Sequence, residues 1–126
     1  MTLLLDTHFL LWILTGAERL AYFPWLDRYR PWGISPVSLL EIQFLSEVGR
    51  LTVDAAAFGE AIRRDRRFIV DEVGLVALVD KALALSWTRD PFDRLLAAHS
   101  EARRVFFCSL DRRVRAGHRL LVDELR

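Results

Sequence analysis

The sequence predicts one α/β domain over residues 1–126, with a mostly parallel central sheet flanked by helices. Three observations predict it. Short apolar runs alternate with segments of helical periodicity, the order that builds a parallel sheet through helical crossovers. The composition, 52% hydrophobic and 28% charged, is that of a globular chain, with no Pro/Ser/Gly-rich tract and no internal repeat. A chain of 126 residues suffices for one core, burying roughly two-thirds of the surface its unfolded form exposes.

The elements follow in order. Leu3-Leu4-Leu5 reads as the first strand, and THFLLWILTG as a helix with Thr7 as N-cap and Gly16 as its stop. Gly33-Ile34-Ser35 is a short second strand, followed by a helix from Ser38 to Val48 that ends at Gly49. Asp54 caps a helix through the arginine cluster RRDRR, and Phe68-Ile69-Val70 is a third strand or an extended connector. A further helix runs from about Glu72 to Leu85. In TRDPFDRLLAAHS, Phe92, Leu95, Leu96 and His99 follow the i, i+3, i+4, i+7 spacing of a core-facing stripe. Val105 to Ser109 is a strand, and Leu120-Leu121-Val122 a last one.

Composition excludes several classes. The longest apolar run near the start, FLLWIL, falls far short of the ~18 residues of a membrane span, and Asp6 stands where a signal peptide carries basic residues, so a cytoplasmic protein without a membrane partner is expected. The lone cysteine, Cys108, suits a buried strand in a reducing compartment. A net charge of +1 argues against coating nucleic acid by bulk charge. Seventeen of the eighteen basic residues are arginine, whose planar fork matches phosphate oxygens, although for any single cluster a solvated face or a codon preference is the stronger explanation.

Four carboxylates fall at comparable places: Asp6 after the first strand, Glu41 one turn into the helix after the second, Asp93 in the first turn of its helix, and Asp111 after VFFCSL. In an open parallel sheet these strand ends and helix starts gather along one edge, where ligands bind. Each acid also has a structural explanation. Ser38-x-x-Glu41 is a capping box, and Asp90 with Pro91 is a regular helix start in which the dipole favours Asp93. The functional reading gains where capping is otherwise provided, by Thr7 for Asp6 and by Asp90 for Asp93; Glu41 stays ambiguous. Carboxylates crowded together repel, and a divalent cation relieves them; carboxylate and water are the ligands of Mg²⁺ or Mn²⁺. No zinc pattern, phosphate loop or nucleophile elbow is present. His8 is expected packed or hydrogen-bonded, His99 a satisfied core residue, His118 part of a polar turn, and the four tryptophans core or interface residues.

Taken together, LLLDTHFLLW (3–12), SPVSLLEI (35–42), RDPFDRLLAA (89–98) and SLDRRV (109–114) resemble the PIN-domain ribonucleases, and among them the VapC-type toxins of prokaryotic toxin–antitoxin pairs. The resemblance implies a metal-dependent endoribonuclease. Asp6, Glu41, Asp93 and Asp111 take the family's acidic, catalytic and metal-binding positions, with Thr7, Ser38, Asp90 and Ser109 in support and Mg²⁺ or Mn²⁺ as cofactor. It further implies an RNA substrate, a cognate antitoxin that occupies the site, commonly through a basic side chain, and a homodimer. Arg89, Arg94 and Arg112 are then candidates to hold RNA phosphates at the rim. The chain departs from the pattern at Leu40, Leu45, Thr88 and Ser109 without losing a carboxylate. Two rivals differ in class: a receiver-like Mg²⁺-dependent phosphoacceptor, which wants an adjacent acidic pair where Asp6-Thr7 stands, and a PIN-like RNA- or partner-binding module with an idle site.

Overall fold

A computed structural model describes residues 1–126. Strands β1 (Leu3–Leu5), β2 (Trp32–Ile34), β3 (Phe68–Val70) and β4 (Phe106–Cys108) form one sheet in the order β3-β2-β1-β4, and every pairing in it is parallel. The helices are α1 (Thr7–Thr15), α2 (Pro36–Glu47), α3 (Ala55–Arg64), α4 (Leu75–Leu83), α5 (Pro91–Arg103) and α6 (Arg112–Gly117). β1 is buried along its whole length, which is why its sequence is a run of leucines rather than an alternation: helices cover both faces. Twenty-five buried apolar residues make one continuous core.

The strand order places the site. From β1 the chain steps outward through β2 to β3, then returns across the sheet to lay β4 on the other side of β1. The order reverses between β1 and β4, and the crevice beyond the carboxyl ends of strands at such a point is where open α/β sheets bind ligands. Asp6 directly follows β1, and Ser109 and Asp111 follow β4. The order also differs from the 2-1-3-4-5 sheet of receiver domains, which removes the phosphoacceptor alternative's scaffold.

Several local expectations shift by physical cause. Asp6, not Thr7, caps α1: its Oδ1 accepts from the Phe9 amide at 2.9 Å, and Thr7 is the first helical residue. Gly16 ends the helix in the left-handed conformation at φ 65°, as expected. The second strand begins one residue earlier than Gly33, because Trp32 is buried on Phe68 and donates its indole N–H to the Leu26 carbonyl. α2 starts ahead of Ser38: Ser35 accepts from the Val37 amide and Pro36 takes the first helical position, so the Ser38–Glu41 capping box does not form. α4 is shorter than Glu72–Leu85, since Asp71 to Val73 continue the exit from β3. Leu120–Val122 forms no named strand; Leu121 makes a single parallel bridge to Phe107. Two 3-10 segments, Glu18–Tyr22 and Pro24–Tyr29, occupy a stretch for which the sequence pattern assigned nothing. No helix is long and apolar enough to cross a membrane.

Candidate active site

The structure brings the expected acids to one place. A cavity of about 570 Å³ is lined by Asp6, Glu41, Asp90, Asp93 and Asp111 together with His8, Trp12, Arg19 and Arg50 and apolar neighbours. The elements that carry the acids are separate in sequence: the ends of β1 and β4, the second turn of α2 and the start of α5.

Each carboxylate is held differently. Asp6 is buried with 7% of its surface exposed; it accepts from the Phe9 amide and has the Ser109 hydroxyl close by. Burial raises its pKa, opposed by those two groups and by His8. The Ser109 hydroxyl accepts from the Asp111 amide at 3.1 Å, so one serine sits beside the acids at the ends of β1 and β4. Glu41 accepts from the Thr7 hydroxyl at 2.5 Å, and the Ser38 hydroxyl lies 3.0 Å from the same Thr7 oxygen. Thr7 has one proton, so it donates to Glu41 and accepts from Ser38. Burial raises the Glu41 pKa, with Asp90 and Asp6 adding repulsion against the relief from Thr7 and His8.

Asp90 caps α5 through its Oδ1, which accepts from the Asp93 amide at 3.0 Å, as expected from the sequence. That leaves the Asp93 carboxylate with no hydrogen bond of its own, and it faces every other acid. Burial, then Asp90, Asp111, Glu41 and Asp6, push its pKa up to about 7. Asp111 caps α6, accepting from the Arg113 and Val114 amides at 2.9 and 3.1 Å. The expectation that another cap frees the acid therefore holds for Asp93 and fails for Asp6, which caps α1 with one oxygen; Asp111 likewise caps α6.

Whether these residues suit a cation rests on two observations. No three His, Cys, Asp or Glu side chains converge closely enough to form a ready-made cage. Yet five carboxylates share one cavity, three of them with raised pKa values caused by burial and mutual repulsion. A site that expects Mg²⁺ has this character, because Mg²⁺ keeps several waters and takes only one or two protein carboxylates directly.

The basic candidates separate. Arg94 donates to the Ala82 and Leu83 carbonyls at 2.6 and 3.2 Å, closing the end of α4. Arg89 and Arg112 are exposed but outside the cavity lining. The sequence reading missed Arg19 and Arg50, which do line it; neither lies near a candidate site acid in the chain, so nothing local marked them. His8 is exposed at the cavity. His99 is fully buried, bridging the Ser35 hydroxyl and Asp71 at 3.0 and 2.9 Å. His118 is not in a polar turn: it is buried between Trp87 and Phe107, its Nε2 3.0 Å from the Ser100 hydroxyl.

Fold and cavity together define a parallel α/β domain with a carboxylate-lined cleft at its topological switch point. The PIN domain family model matches residues 3–118, and the chain belongs to that family. Two solved structures are similar to it throughout. One is VapBC2 from Rickettsia felis bound to a DNA fragment from its promoter, at TM-score 0.67 and 14% identity, with 98% of each chain covered. The other is a toxin–antitoxin complex from Klebsiella pneumoniae, at TM-score 0.67 and 16% identity, with 94% of each covered. Comparison with curated proteins gave no match.

Proposed function

We propose that this chain is a metal-dependent endoribonuclease and the toxin of a toxin–antitoxin pair. One observation carries the reading: Asp6, Glu41, Asp90, Asp93 and Asp111 line one cavity at the switch point of a PIN domain. Asp6 and Asp93 would hold Mg²⁺ or Mn²⁺ directly, Glu41 as a further ligand or as the group that orients the attacking water, and Asp111 through water or toward a second ion. A divalent cation bound there supplies an activated water and neutralises charge on the phosphoryl group. The chain's own groups set the rest. Thr7 fixes an oxygen of Glu41 by donating to it, and the Phe9 amide does the same for Asp6, with the Ser109 hydroxyl close by. Asp93, with a pKa of about 7, holds a proton part of the time until a cation displaces it.

The similar structures are toxin–antitoxin complexes, which supports a cognate antitoxin as partner. On α2, Leu40, Phe44 and Val48 form an exposed apolar ridge one residue away from the cavity residues Glu41 and Leu45, a seat an antitoxin segment would use. A second copy of the chain is the other proposed partner, with α4 presenting Leu75, Val76, Val79 and Leu83. The proposed place of action is the cytoplasm.

The test is purified protein on total RNA. Cleavage is expected with Mg²⁺ or Mn²⁺ and lost in chelator and in Asp93→Asn; cleavage unchanged in chelator refutes the metal role. A second reading, a binding module with an idle site, draws on the absence of a preformed cage. Isothermal titration without heat at millimolar Mn²⁺ would favour it.

A further inference from the structure

The cavity is lined by two unlike sets of residues. Opposite in character to its five acids stand His8, Trp12, Arg19 and Arg50. Arg19 comes from the 3-10 segment after α1, and its guanidinium lies over the Trp12 ring, 4.5 Å from the centroid. Trp12 is itself held by Phe9 edge-on at 4.9 Å and by Phe23 parallel to it at 6.4 Å. Arg50 directly follows Gly49, whose φ of 75° turns the chain back after α2 and brings that arginine to the cavity. Both arginines are exposed, and neither forms an ion pair or side-chain hydrogen bond, although five carboxylates line the same cavity.

The geometry points to Arg19 and Arg50 as the groups that hold the RNA backbone next to the acids, with the Trp12 ring presenting the Arg19 fork. The inference rests on the nuclease reading of the same cavity and names its phosphate contacts. A backbone approaching five carboxylates is repelled, so it needs cationic contacts within that cavity rather than elsewhere on the surface. Arginine supplies a planar, permanently charged fork that matches phosphate oxygens, and stacking on an aromatic ring pre-orients it. Arg67 and Arg103, by contrast, are bound to Asp65 and Asp71.

The experiment is fluorescence anisotropy with a short fluorescein-labelled single-stranded RNA, in an Asp93→Asn background that prevents hydrolysis. Arg19→Ala and Arg50→Ala should each weaken binding across RNA sequences and reduce the slope of log affinity against log salt by about 0.7. Arg89→Ala and Arg112→Ala, outside the cavity, should change neither. Arg19→Lys should keep the salt slope and lose part of the affinity, and Trp12→Leu should match it if circular dichroism shows the fold retained. Equal losses at all four arginines, or none at Arg19 and Arg50, overturn the inference. A parallel cleavage assay of the unmodified chain with Mn²⁺ separates the two readings. Cleavage with binding indifferent to Arg19 and Arg50 sinks the clamp alone. Arginine-dependent binding without cleavage upholds the clamp and sinks the nuclease, and neither cleavage nor binding sinks both.

Discussion

Asp93 is the residue on which most forces meet. It accepts no hydrogen bond, is partly buried, and is repelled by the other acids of the cavity, so in the absence of a cation its proton is held up to about pH 7. Its ionisation works against the fold, whereas its neutralisation does not. Asp93→Asn should therefore abolish metal-dependent cleavage while leaving the chelated chain at least as stable as the parent, measured by thermal unfolding; a variant that unfolds would show a structural duty for Asp93. Because a cation displaces that proton, Mg²⁺ or Mn²⁺ binding should release protons near neutral pH. Titration calorimetry in buffers of different ionisation enthalpy reads this directly, and heats independent of buffer would contradict it. The hydroxyls beside the acids carry a smaller share. Ser109→Ala or Thr7→Val should cost roughly 10–100-fold in metal affinity or activity, the usual loss for a group that orients a ligand.

At the scale of elements, α2 and α5 must be held in register, because Glu41 rides on one and Asp93 on the other. A chain of hydrogen bonds that runs from the interior to the surface does this: Ser35 at the N-cap of α2 to the buried His99 on α5, His99 to Asp71 after β3, and Asp71 to the exposed Arg103 at 2.9 Å. His99→Leu leaves Asp71 with Arg103 alone and the fully buried Ser35 hydroxyl with only the Val37 amide, and a buried polar group left short of a partner costs about 1–3 kcal/mol. Denaturant unfolding should show a loss of that order, and a shift within error would mean the interior relaxes around the leucine. On α4 the issue is the surface. Leu75, Val76 and Leu83 are each at least 70% exposed, an apolar strip with no cover within the chain. If a second copy covers it, Leu83→Glu should convert a dimer to a monomer in light scattering without unfolding it; an unchanged mass places the dimer elsewhere or removes it.

Across the whole molecule, two sets of buried groups titrate with opposite sign. His118 is lowered to about 4 and His99 is lowered too, chiefly by burial. The unfolded chain binds those protons first, so their contribution is present above the ordinary histidine value of 6.5 and is lost as pH falls toward about 4. Asp93 is raised, so the folded metal-free chain holds the extra proton between the ordinary value of 3.8 and about 7, and stability falls as pH rises through that range. In chelator, calorimetry should show Asp93→Asn stabilised at mildly alkaline pH and near parity in acid. A difference that grows in acid would reverse the assignment.

How much of this was legible in the sequence follows from the same physics. The four strand positions, the α5 stripe with His99 in the core, the Asp90 cap and the clustering of Asp6, Glu41, Asp93 and Asp111 all rest on local patterns: apolar runs, periodicity, Pro91 after an acid, carboxylates at strand ends. The caps of α1 and α2 were misplaced because Asp6 and Thr7, and Ser35 and Ser38, are equally good local candidates. Only packing decided which hydroxyl turned inward, Thr7 toward Glu41 and Ser38 toward Thr7. His118 looked polar by its neighbours and is buried by Trp87 and Phe107, residues distant in the chain.

The sequence by itself therefore determined which segments are strands and helices and which acids stand at their ends, since those depend on side chains a few residues apart. Tertiary structure alone decided that β4 returns beside β1, that Ser109 sits beside both Asp6 and Asp111, and that Arg19 and Arg50, not Arg94, line the cavity of the acids. Those outcomes depend on long-range closure, where position in space is set by the packing of the whole core and not by any neighbour in the chain.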